Sequence, residues 1–538
     1  NSYRWKNVLT DLSHSRLQCL LAPENLSLLT QIQRGIEKEG LRVTPGATIA
    51  QSKHPKALGS PLTHPCITTD YSEALLEFIT PVFQNVEGCI DYLSSLHAFT
   101  VRQLDDEYLW PASMPCRLSG DESIPIAQYG NSNIGQMKHA YRQGLGNRYG
   151  RTMQSIAGIH YNFSMPDAFW VEHQKSCGDT GDLATFKSNR YFDLIRNFRR
   201  HGWLLIYLFG ASPSLDKSFL EKNAQNAHNL ARYNNSLGLP YATSLRMSDL
   251  GYQSKAQRDL HIRYDDLPSY LHDLNRAIET RYPGYEQIGI KVNGRYRQLN
   301  SNILQIENEY YSEIRPKRVT KGTETPSQAL KNRGVEYIEV RILDTNPLLA
   351  VGIDAEQIRF LDTFLLYCLM ADSPVLSNEE CAEIKHNQQQ VALEGRNPAL
   401  QLLKNGQSLG LQHVAKQLLA EMKPFTAQLD SAHQNSMNPA VSLYSYQYAL
   451  DAQVSKVENS ALTPSAKLMQ ETQEGEEFVA SMLTKAKRHQ QYFLAQDNDN
   501  SLEAEFHLAA VESLIQQDQI EAHEHHSFDE FLRMQYSA

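Results

Sequence analysis

The stretch Tyr337–Leu343 reads YIEVRIL and alternates apolar and charged residues with the two-residue period of a β-strand. Successive side chains of a strand point to opposite faces, so the aliphatic residues at positions 338, 340 and 342 share one face. Glu339 and Arg341 share the other face. The stretch therefore predicts a strand with one face in a hydrophobic core and the other face available for chemistry.

A second predicted strand, Ile36–Val43, reads IEKEGLRV and places Glu37 and Glu39 on one face. At strand spacing the two side chains lie about 7 Å apart. Carboxylates at that distance repel by roughly 2 kcal/mol at an effective dielectric constant near 20. Bridging cations relieve such repulsion, so the pattern indicates a site for divalent metal. An ordinary exposed strand face that carries charges explains either segment, taken alone, equally well.

Composition and charge favour a protein that acts on small molecules. The chain has 538 residues, of which 41% are hydrophobic and 21% charged. Its longest apolar run, Trp203–Gly210, is far shorter than the roughly 18 residues that a membrane span requires. The net charge of -10 argues against nucleic acid, which is held mainly by Lys and Arg. We expect no membrane and no nucleic-acid partner; the oligomeric state is left open, and a monomer is consistent with the sequence.

The N-terminus and the cysteines point to a reducing compartment. Residues 1–6 lead directly into polar, helix-like sequence with no apolar signal core, so we expect a cytoplasmic protein. The seven cysteines are scattered and form no C-x-x-C pair. This favours reduced thiols over a zinc ribbon or a disulfide scaffold, although spacing alone does not decide whether one pair forms.

The chain divides into three predicted regions. Residues 1–30 carry a rough helical stripe, residues 31–350 alternate short β-like runs with Gly, Pro and Asn, and residues 351–538 are rich in helix formers. The middle region predicts an α+β domain with helices near 83–108, 184–207 and 263–280. The last region predicts helices at 351–371, 398–419 and 465–495. The tract His523–His526 can bind metal in principle, but at a polar terminus it predicts a solvated helix end.

Common nucleotide and hydrolase motifs are missing. The sequence contains no G-x-x-x-x-G-K-[ST] loop, and no G-x-G-x-x-G follows a predicted strand. The glycines of Gly144–Gly150 have the wrong spacing for phosphate binding. No G-x-S-x-G elbow is present, so serine hydrolase chemistry has no support.

Polar residues recur on strand-like segments elsewhere in the middle region. These candidate metal or substrate residues are Asp70, Glu77, His160, Asn162, Glu307, Asn308, Glu309 and Tyr311. Together they offer the oxygen and nitrogen ligands that hold Mg²⁺ or Mn²⁺ against phosphates. Individually they have simpler explanations: His160 is compatible with a hydrogen-bonded core histidine, and Asp70 with a helix N-cap.

Two arginines are candidates for the cations that phosphoryl transfer requires. Such transfer needs metal ions on the phosphates and fixed positive charge where negative charge develops. Arg142 lies in a basic stretch before the His160 strand, and Arg341 shares a strand face with Glu339. A surface charge is the alternative for Arg142, and a structural ion pair with Glu339 is the alternative for Arg341.

Longer motifs resemble one known family. They are QRGIEKE at 33–39, the segment 55–81 with TTDYSEALLEF at 68–78, WPASMPC at 110–116, GIHYNFS at 158–164, YLFGASP at 207–213, LPYATSLRMSDLGY at 239–252, IRPKR at 314–318 and EYIEVR at 336–341. In collinear order from about residue 30 to 370, these motifs resemble the bacterial type of glutamate-cysteine ligase. The resemblance fades beyond about residue 375, and the family pattern is not recognisable at 223–235.

The resemblance implies a glutamine-synthetase-like antiparallel sheet shaped as a funnel, with surrounding helices and a helical C-terminal region. It implies that the γ-carboxyl of L-glutamate is joined to the amino group of L-cysteine through a γ-glutamyl phosphate, with cleavage of ATP to ADP and phosphate. ATP is then a co-substrate, and Mg²⁺, or alternatively Mn²⁺, is the cofactor. This is the first step of glutathione biosynthesis.

The family's functional positions can be carried over one by one. The metal and phosphate centre falls on Glu37, Glu39, Asp70, Glu77, His160 and Glu339, and the cations beside the transferred phosphoryl group fall on Arg142 and Arg341. The surroundings of the cysteine substrate fall on Tyr141, Leu145, Gln154, Ile156, Asn162, Arg246, Tyr252 and Tyr311, and we add Asn308 to this substrate-binding set. Asp70 is also a candidate base for the amine.

Two alternatives stay open at this point. A ligase of the same fold with another amine acceptor would share the metal centre and differ only around the acceptor pocket. A non-catalytic metal- or nucleotide-binding relative would keep the fold after losing activity, but such a protein would have little reason to keep both arginines and all six acidic or imidazole positions.

Overall fold

The computed structural model describes residues 23–220, 230–250, 255–258, 260–322, 324–435, 445–496 and 500–536. The predicted N-terminal helix over residues 1–30 lies mostly outside the described residues, which show its last part as the helix Pro23–Leu29. The remaining regions combine one large antiparallel sheet with many helices, which confirms the predicted α+β class.

Short strands make up the sheets. They are β1 (Gln33–Val43), β2 (Ile67–Thr69), β3 (Leu75–Ile79), β4 (Tyr108–Leu109), β5 (Ile159–Ser164), β6 (Ser214–Asp216), β7 (Ala231–Tyr233), β8 (Ser236–Gly238), β9 (Lys291–Val292), β10 (Arg295–Tyr296), β11 (Ile314–Lys317), β12 (Tyr337–Leu343), β13 (Gln401–Lys404) and β14 (Gln407–Gly410). The large sheet runs β11-β12-β5-β1-β3-β2, and β4 pairs with the end of β1. The predicted strand at 337–343 is confirmed at both ends.

Helices surround the sheet. They are α1 (Pro23–Leu29), α2 (Val86–Arg102), α3 (Asn133–Tyr149), α4 (Asp167–Ser176), α5 (Leu183–His201), α6 (Trp203–Phe209), α7 (Lys255–Arg258), α8 (Leu267–Glu279), α9 (Pro283–Glu286), α10 (Pro326–Arg333), α11 (Ala355–Met370), α12 (Asn378–Glu394), α13 (Leu411–Asn435), α14 (Ser445–Glu458), α15 (Pro464–Gln473), α16 (Phe478–Leu494), α17 (Asn500–Ala522) and α18 (Phe528–Tyr536). Within the described ranges, no helix has an apolar stretch long enough to cross a bilayer.

The sheet has one apolar face and one charged face. Ile36 on β1 lies opposite Tyr161 on β5, and Tyr161 lies opposite Val340 on β12. All three side chains are fully buried. Helices α2, α5 and α6 pack against this side of the sheet, and α11 packs in turn against α2 and α5. The hydrophobic core therefore occupies one side of the sheet and leaves the other side to the polar residues between these positions.

One predicted helix is wrong in its first half. Residues 401–410 form the hairpin β13–β14, and α13 begins only at Leu411. Asn405 and Gly406 occupy the turn with φ of 52° and 73°, and an Asn-Gly pair is the preferred turn of a two-residue hairpin. The side chain of Asn387 also holds β13, because it donates to the Leu403 carbonyl at 2.7 Å and accepts from the Leu403 N–H at 2.8 Å.

A buried ion pair joins the sheet to the C-terminal helices. Asp362 on α11 is fully buried and accepts a hydrogen bond from Arg34 Nη2 on β1 at 2.9 Å. The same carboxylate accepts from the Tyr161 hydroxyl on β5 at 2.6 Å and from the Tyr446 hydroxyl on α14 at 3.4 Å. Three separate elements therefore depend on one carboxylate behind the sheet.

Asp362→Asn is expected to lower the free energy of unfolding by about 3–5 kcal/mol, because it leaves the buried Arg34 guanidinium without a counter-charge. Chemical denaturation followed by circular dichroism measures this. Glu172→Gln is the matched control, since Glu172 pairs with Lys175 on the surface at 2.7 Å and such pairs contribute less than about 1 kcal/mol. Equal losses in the two variants would contradict the role given to Asp362.

Candidate active site

The register of the large sheet brings the predicted acidic residues together. Glu37 on β1 lies opposite His160 on β5, and Glu39 on β1 lies opposite Glu77 on β3. On the other side of β5, Asn162 lies opposite Glu339 on β12. Directly opposed side chains in an antiparallel pair are about 5 Å apart. Residues far apart in the sequence thus form one polar cluster on the charged face.

Short polar contacts hold this cluster. His160 Nδ1 lies 3.1 Å from Glu37 Oε2, and His160 Nε2 lies 3.8 Å from Glu39 Oε1. The Asn162 amide donates to Glu37 Oε1 at 2.9 Å. Ligand atoms of Glu37, His160 and Glu339 lie within 4.8 Å of one another, as do those of Glu39, Glu77 and His160. Two sets of three ligands, sharing the imidazole, are therefore close enough to hold metal ions.

The electrostatics of the cluster differ from one carboxylate to the next. Burial raises the pKa of Glu77 well above its usual range, and the neighbouring carboxylates Glu37, Asp70 and Glu39 raise it further. Burial also raises the pKa of Glu39. Negative charge near Glu77 and Glu39 is thus less well compensated than elsewhere in the cluster. A bound cation would be stabilised most strongly on that side.

Two cations offset the charge at Glu339. Lys317 Nζ on β11 lies 3.2 Å from Glu339 Oε1, and Arg341 Nη1 lies 3.2 Å from Glu339 Oε2. Burial opposes ionisation of Glu339, but Lys317 and Arg341 outweigh it, and the pKa of Glu339 falls well below its usual range. The ion pair that the sequence offered as the structural alternative for Arg341 is thus present, and it lies inside the polar cluster.

Sequence reasoning missed Arg315 and Lys317 as site residues. Arg315 pairs in register with Glu339, and both cations lie on the charged face of the sheet. Their alternation with Ile314 and Pro316, which are buried, was visible in the sequence. Only the pairing of β11 with β12, however, shows that they face Glu339.

Arg142 is not a plain surface charge. Its guanidinium lies over the ring of Tyr129 at 4.6 Å from the centroid. Its Nε donates to the Asp70 carbonyl, and its Nη1 donates to the Lys138 carbonyl at 3.1 Å. Asp70 follows β2 in a turn and does not cap a helix. Helix α3 therefore brings a fixed cation to the edge of the carboxylate cluster.

A cleft of about 2000 Å³ opens over the charged face. Predicted site residues that line it are Glu37, Glu39, Asp70, Glu77, Tyr141, Arg142, Leu145, Gln154, Ile156, His160, Arg246, Asn308, Tyr311, Glu339 and Arg341. Asn162 does not line the cleft but is hydrogen-bonded to Glu37 beneath it. Tyr252 lies outside the described residues.

Arg246 is fixed by backbone and carboxylate contacts. Its Nη2 donates to the Arg341 carbonyl at 2.9 Å, and its Nη1 lies 3.7 Å from Asp344 Oδ1. A Cβ at position 158 would lie 2.2 Å from Nη2, so only Gly158 leaves room for the guanidinium. The conformation of Arg246 is therefore set by the fold, before any substrate binds.

The segment Glu307–Glu309 differs from the predicted strand-like arrangement. It forms a single 3-10 turn. Glu309 pairs with Arg148 at 2.8 Å, and neither side chain is exposed. Glu309 also accepts from the Tyr149 hydroxyl at 2.6 Å. Although it borders the cleft, Glu309 is thus already engaged with α3, whereas Glu307 and Asn308 remain part of the cleft wall.

Comparisons with known proteins agree with this arrangement. A family model described as glutamate-cysteine ligase matches residues 17–391. The glutamate–cysteine ligase of Pseudomonas fluorescens is 49% identical over 97% of this chain and 97% of its own length. That of Alcanivorax borkumensis is 48% identical over 96% of this chain and 98% of its own length.

Solved structures show the same fold. A glutamate–cysteine ligase from Francisella tularensis in complex with AMP superposes with a TM-score of 0.87 at 37% identity, covering 94% of this chain and 98% of that one. A bifunctional glutathione synthetase from Pasteurella multocida matches with a TM-score of 0.72 at 23% identity, covering 92% of this chain and 58% of that one. The Pasteurella structure supports the fold alone, whereas the family match over residues 17–391 and the near-complete overlap with the Pseudomonas and Alcanivorax ligases show that the chain belongs to the glutamate-cysteine ligase family.

Proposed function

We propose that the chain catalyses the ATP-dependent joining of the γ-carboxyl of L-glutamate to the amino group of L-cysteine, giving γ-glutamylcysteine, ADP and phosphate. Relatives that carry this activity in their names align over nearly the whole chain, and a related structure holds AMP. The observation that carries the proposal is the cleft itself, where Glu37, Glu39, Glu77 and Glu339 meet His160 and fixed cations on one sheet face.

The residues present suit Mg²⁺, with Mn²⁺ as an alternative. The donor set is rich in carboxylate oxygens, which both ions prefer, and it includes one imidazole, which suits Mn²⁺ as well. We assign Glu37, Glu39, Glu77, His160 and Glu339 as ligands, with Asp70 adjoining them. A bound Mg²⁺ would neutralise charge on the phosphate oxygens of ATP.

Two arginines of the protein are assigned to stabilise the phosphoryl group during its transfer. A carboxylate is a poor acylating agent, and transfer of the γ-phosphoryl group of ATP to the glutamate γ-carboxyl makes phosphate the leaving group. Arg341 and Arg142 supply fixed positive charge where the transferring group develops negative charge. Arg341 lines the cleft, and its ion pair with Glu339 at 3.2 Å holds the guanidinium beside the carboxylate cluster.

The acceptor amine attacks the acyl phosphate in its neutral form. We assign Asp70 as the group that orients or deprotonates it, because Asp70 lines the cleft beside Arg142. The cysteine pocket is assigned to the cleft-lining residues Tyr141, Leu145, Gln154, Ile156, Arg246, Asn308 and Tyr311. Asn162, which is hydrogen-bonded to Glu37 beneath the cleft, and Tyr252 are kept in the substrate-binding set on the family resemblance alone. Arg246 is a guanidinium already held in place, as recognition of a carboxylate requires.

The purified protein is expected to release ADP and form γ-glutamylcysteine only when ATP, Mg²⁺, glutamate and cysteine are all present. Coupled ADP detection and mass spectrometry of the product measure both quantities, and 2-aminobutyrate in place of cysteine tests the acceptor. Excess EDTA should stop turnover. Unchanged turnover in EDTA would contradict the metal assignment, and a preferred acceptor other than cysteine would make the protein a ligase of different specificity.

Glu339→Gln is expected to lower kcat by on the order of a hundredfold while the fold is kept, because it removes one ligand charge and preserves the shape of the side chain. Glu336→Gln is the matched control: Glu336 precedes the same strand, its side chain is 41% exposed, and it does not line the cleft. Steady-state kinetics at limiting Mg²⁺ compare the two. A wild-type kcat in the Glu339→Gln variant would contradict the ligand role. Glu339 would then be only a structural partner of Lys317 and Arg341.

A further inference from the structure

The C-terminal helix α18 reaches the cleft from the far end of the chain. It lies beyond residue 391, where the match to the family model ends. Nevertheless its residues Asp529, Phe531, Leu532, Arg533, Met534 and Gln535 line the same cleft as the carboxylate cluster. The last described helix of the chain is therefore one wall of the proposed active site.

Helix α18 meets α3 on the face that carries substrate residues. Ile134, Met137, Lys138, Tyr141, Arg142 and Leu145 on α3 all line the cleft, at the three- and four-residue spacing of one helix face. Leu532 is buried with Ala140 and Leu299, and Met137, Tyr141 and Phe531 pack around them. The apolar contact between α18 and α3 thus lies next to Tyr141, one residue from Arg142.

Specific polar contacts fix α18 on its other side. Asp529 pairs with Lys291 at 2.7 Å and accepts from the Tyr296 hydroxyl at 2.5 Å. The ring of Phe528 meets that of Tyr296 edge to face, with centroids 5.0 Å apart. Because Lys291 and Tyr296 belong to β9 and β10, α18 bridges this hairpin and α3 across the rim of the cleft.

The turn before α18 is also tied to α3. Glu524 Oε1 accepts from the Asn133 N–H, in the first turn of α3, at 2.6 Å. The Asn133 side chain in turn donates to the His526 carbonyl at 2.9 Å. Upstream, Glu521 accepts from the Asn131 N–H at 2.8 Å. The tract His523–His526, which the sequence suggests is a solvated helix end, therefore includes groups that anchor the helix carrying Tyr141 and Arg142.

We propose that α18 contributes to catalysis, an inference that rests on the proposed function. The helix closes the cleft beside Tyr141 and keeps water from the activated γ-carboxyl group. Water that reaches the acyl phosphate attacks its carbonyl carbon, and the bond from that carbon to the phosphate oxygen breaks. Glutamate and phosphate are then released, and the proton of the water passes to solvent. ATP is then consumed without formation of the amide bond. A cleft closed to water therefore couples the cleavage of ATP to the formation of γ-glutamylcysteine.

Two variants test this role. Leu532→Asp in the full chain places a carboxylate in the apolar contact with Ala140, and a chain ending at Ser527 lacks α18 altogether. Ile515→Asp is the matched control, since Ile515 on α17 is half exposed and does not line the cleft. The readouts are γ-glutamylcysteine formed per ADP released, kcat/KM, and the midpoint of thermal unfolding.

Both α18 variants are expected to keep a cooperative unfolding transition, to lower kcat/KM by on the order of tenfold and to form clearly less than one γ-glutamylcysteine per ADP. Ile515→Asp should keep a ratio of one. In the parent protein, ATP, Mg²⁺ and glutamate should slow hydrogen exchange of the amides of α18, a readout that does not require ligation.

A ratio of one with unchanged kcat/KM in either folded α18 variant would overturn the proposal. Loss of cooperative unfolding in both would make α18 a folding element and would overturn it as well. Failure of the proposed function looks different: the parent protein itself would release ADP without γ-glutamylcysteine, while the exchange measurement would still decide whether α18 borders the substrates.

Discussion

The carboxylates of Glu37, Glu39, Glu77 and Glu339 share the charged face of the sheet, and their mutual repulsion is the constraint on which the rest of the site depends. Like charges this close raise the free energy of the fold unless cations accompany them. The chain supplies part of that positive charge itself, through Lys317 and Arg341 at Glu339. Around Glu77, where burial and the neighbouring carboxylates raise the pKa well above its usual range, a bound metal ion would supply further positive charge.

Side-chain contacts on the opposite face of the sheet hold the strand that carries Glu37 and Glu39. The opposite face of β1 carries Arg34, paired with Asp362, and Lys38, whose Nζ lies 2.8 Å from His97 Nε2. Burial lowers the pKa of Lys38 to about 7, and the contact with His97 gives its buried amino group a hydrogen-bond partner. The helices that supply these partners, α2 and α11, thereby fix the strand that bears Glu37 and Glu39.

The local sequence predicted the structure correctly where the complete pattern lay within a single strand. Alternation alone located Tyr337–Leu343, and Glu37 and Glu39 were visible side by side. Arg315 and Lys317 were not identified, because only strand pairing sets them against Glu339. The hairpin at 401–410 was missed, although the Asn405-Gly406 pair is typical of a two-residue hairpin turn. The contribution of α18 to the cleft arises from tertiary packing of residues 528–536 against α3, which no local pattern encodes.

The central claim is that this sheet face directs phosphoryl transfer to the γ-carboxyl of glutamate. Glutamate labelled with ¹⁸O in that carboxyl group tests it most directly, because an acyl phosphate passes one carboxyl oxygen to the phosphate that leaves. With ATP, Mg²⁺ and cysteine, mass spectrometry should find one ¹⁸O in each phosphate released. Phosphate free of label, with γ-glutamylcysteine still formed, would contradict the account.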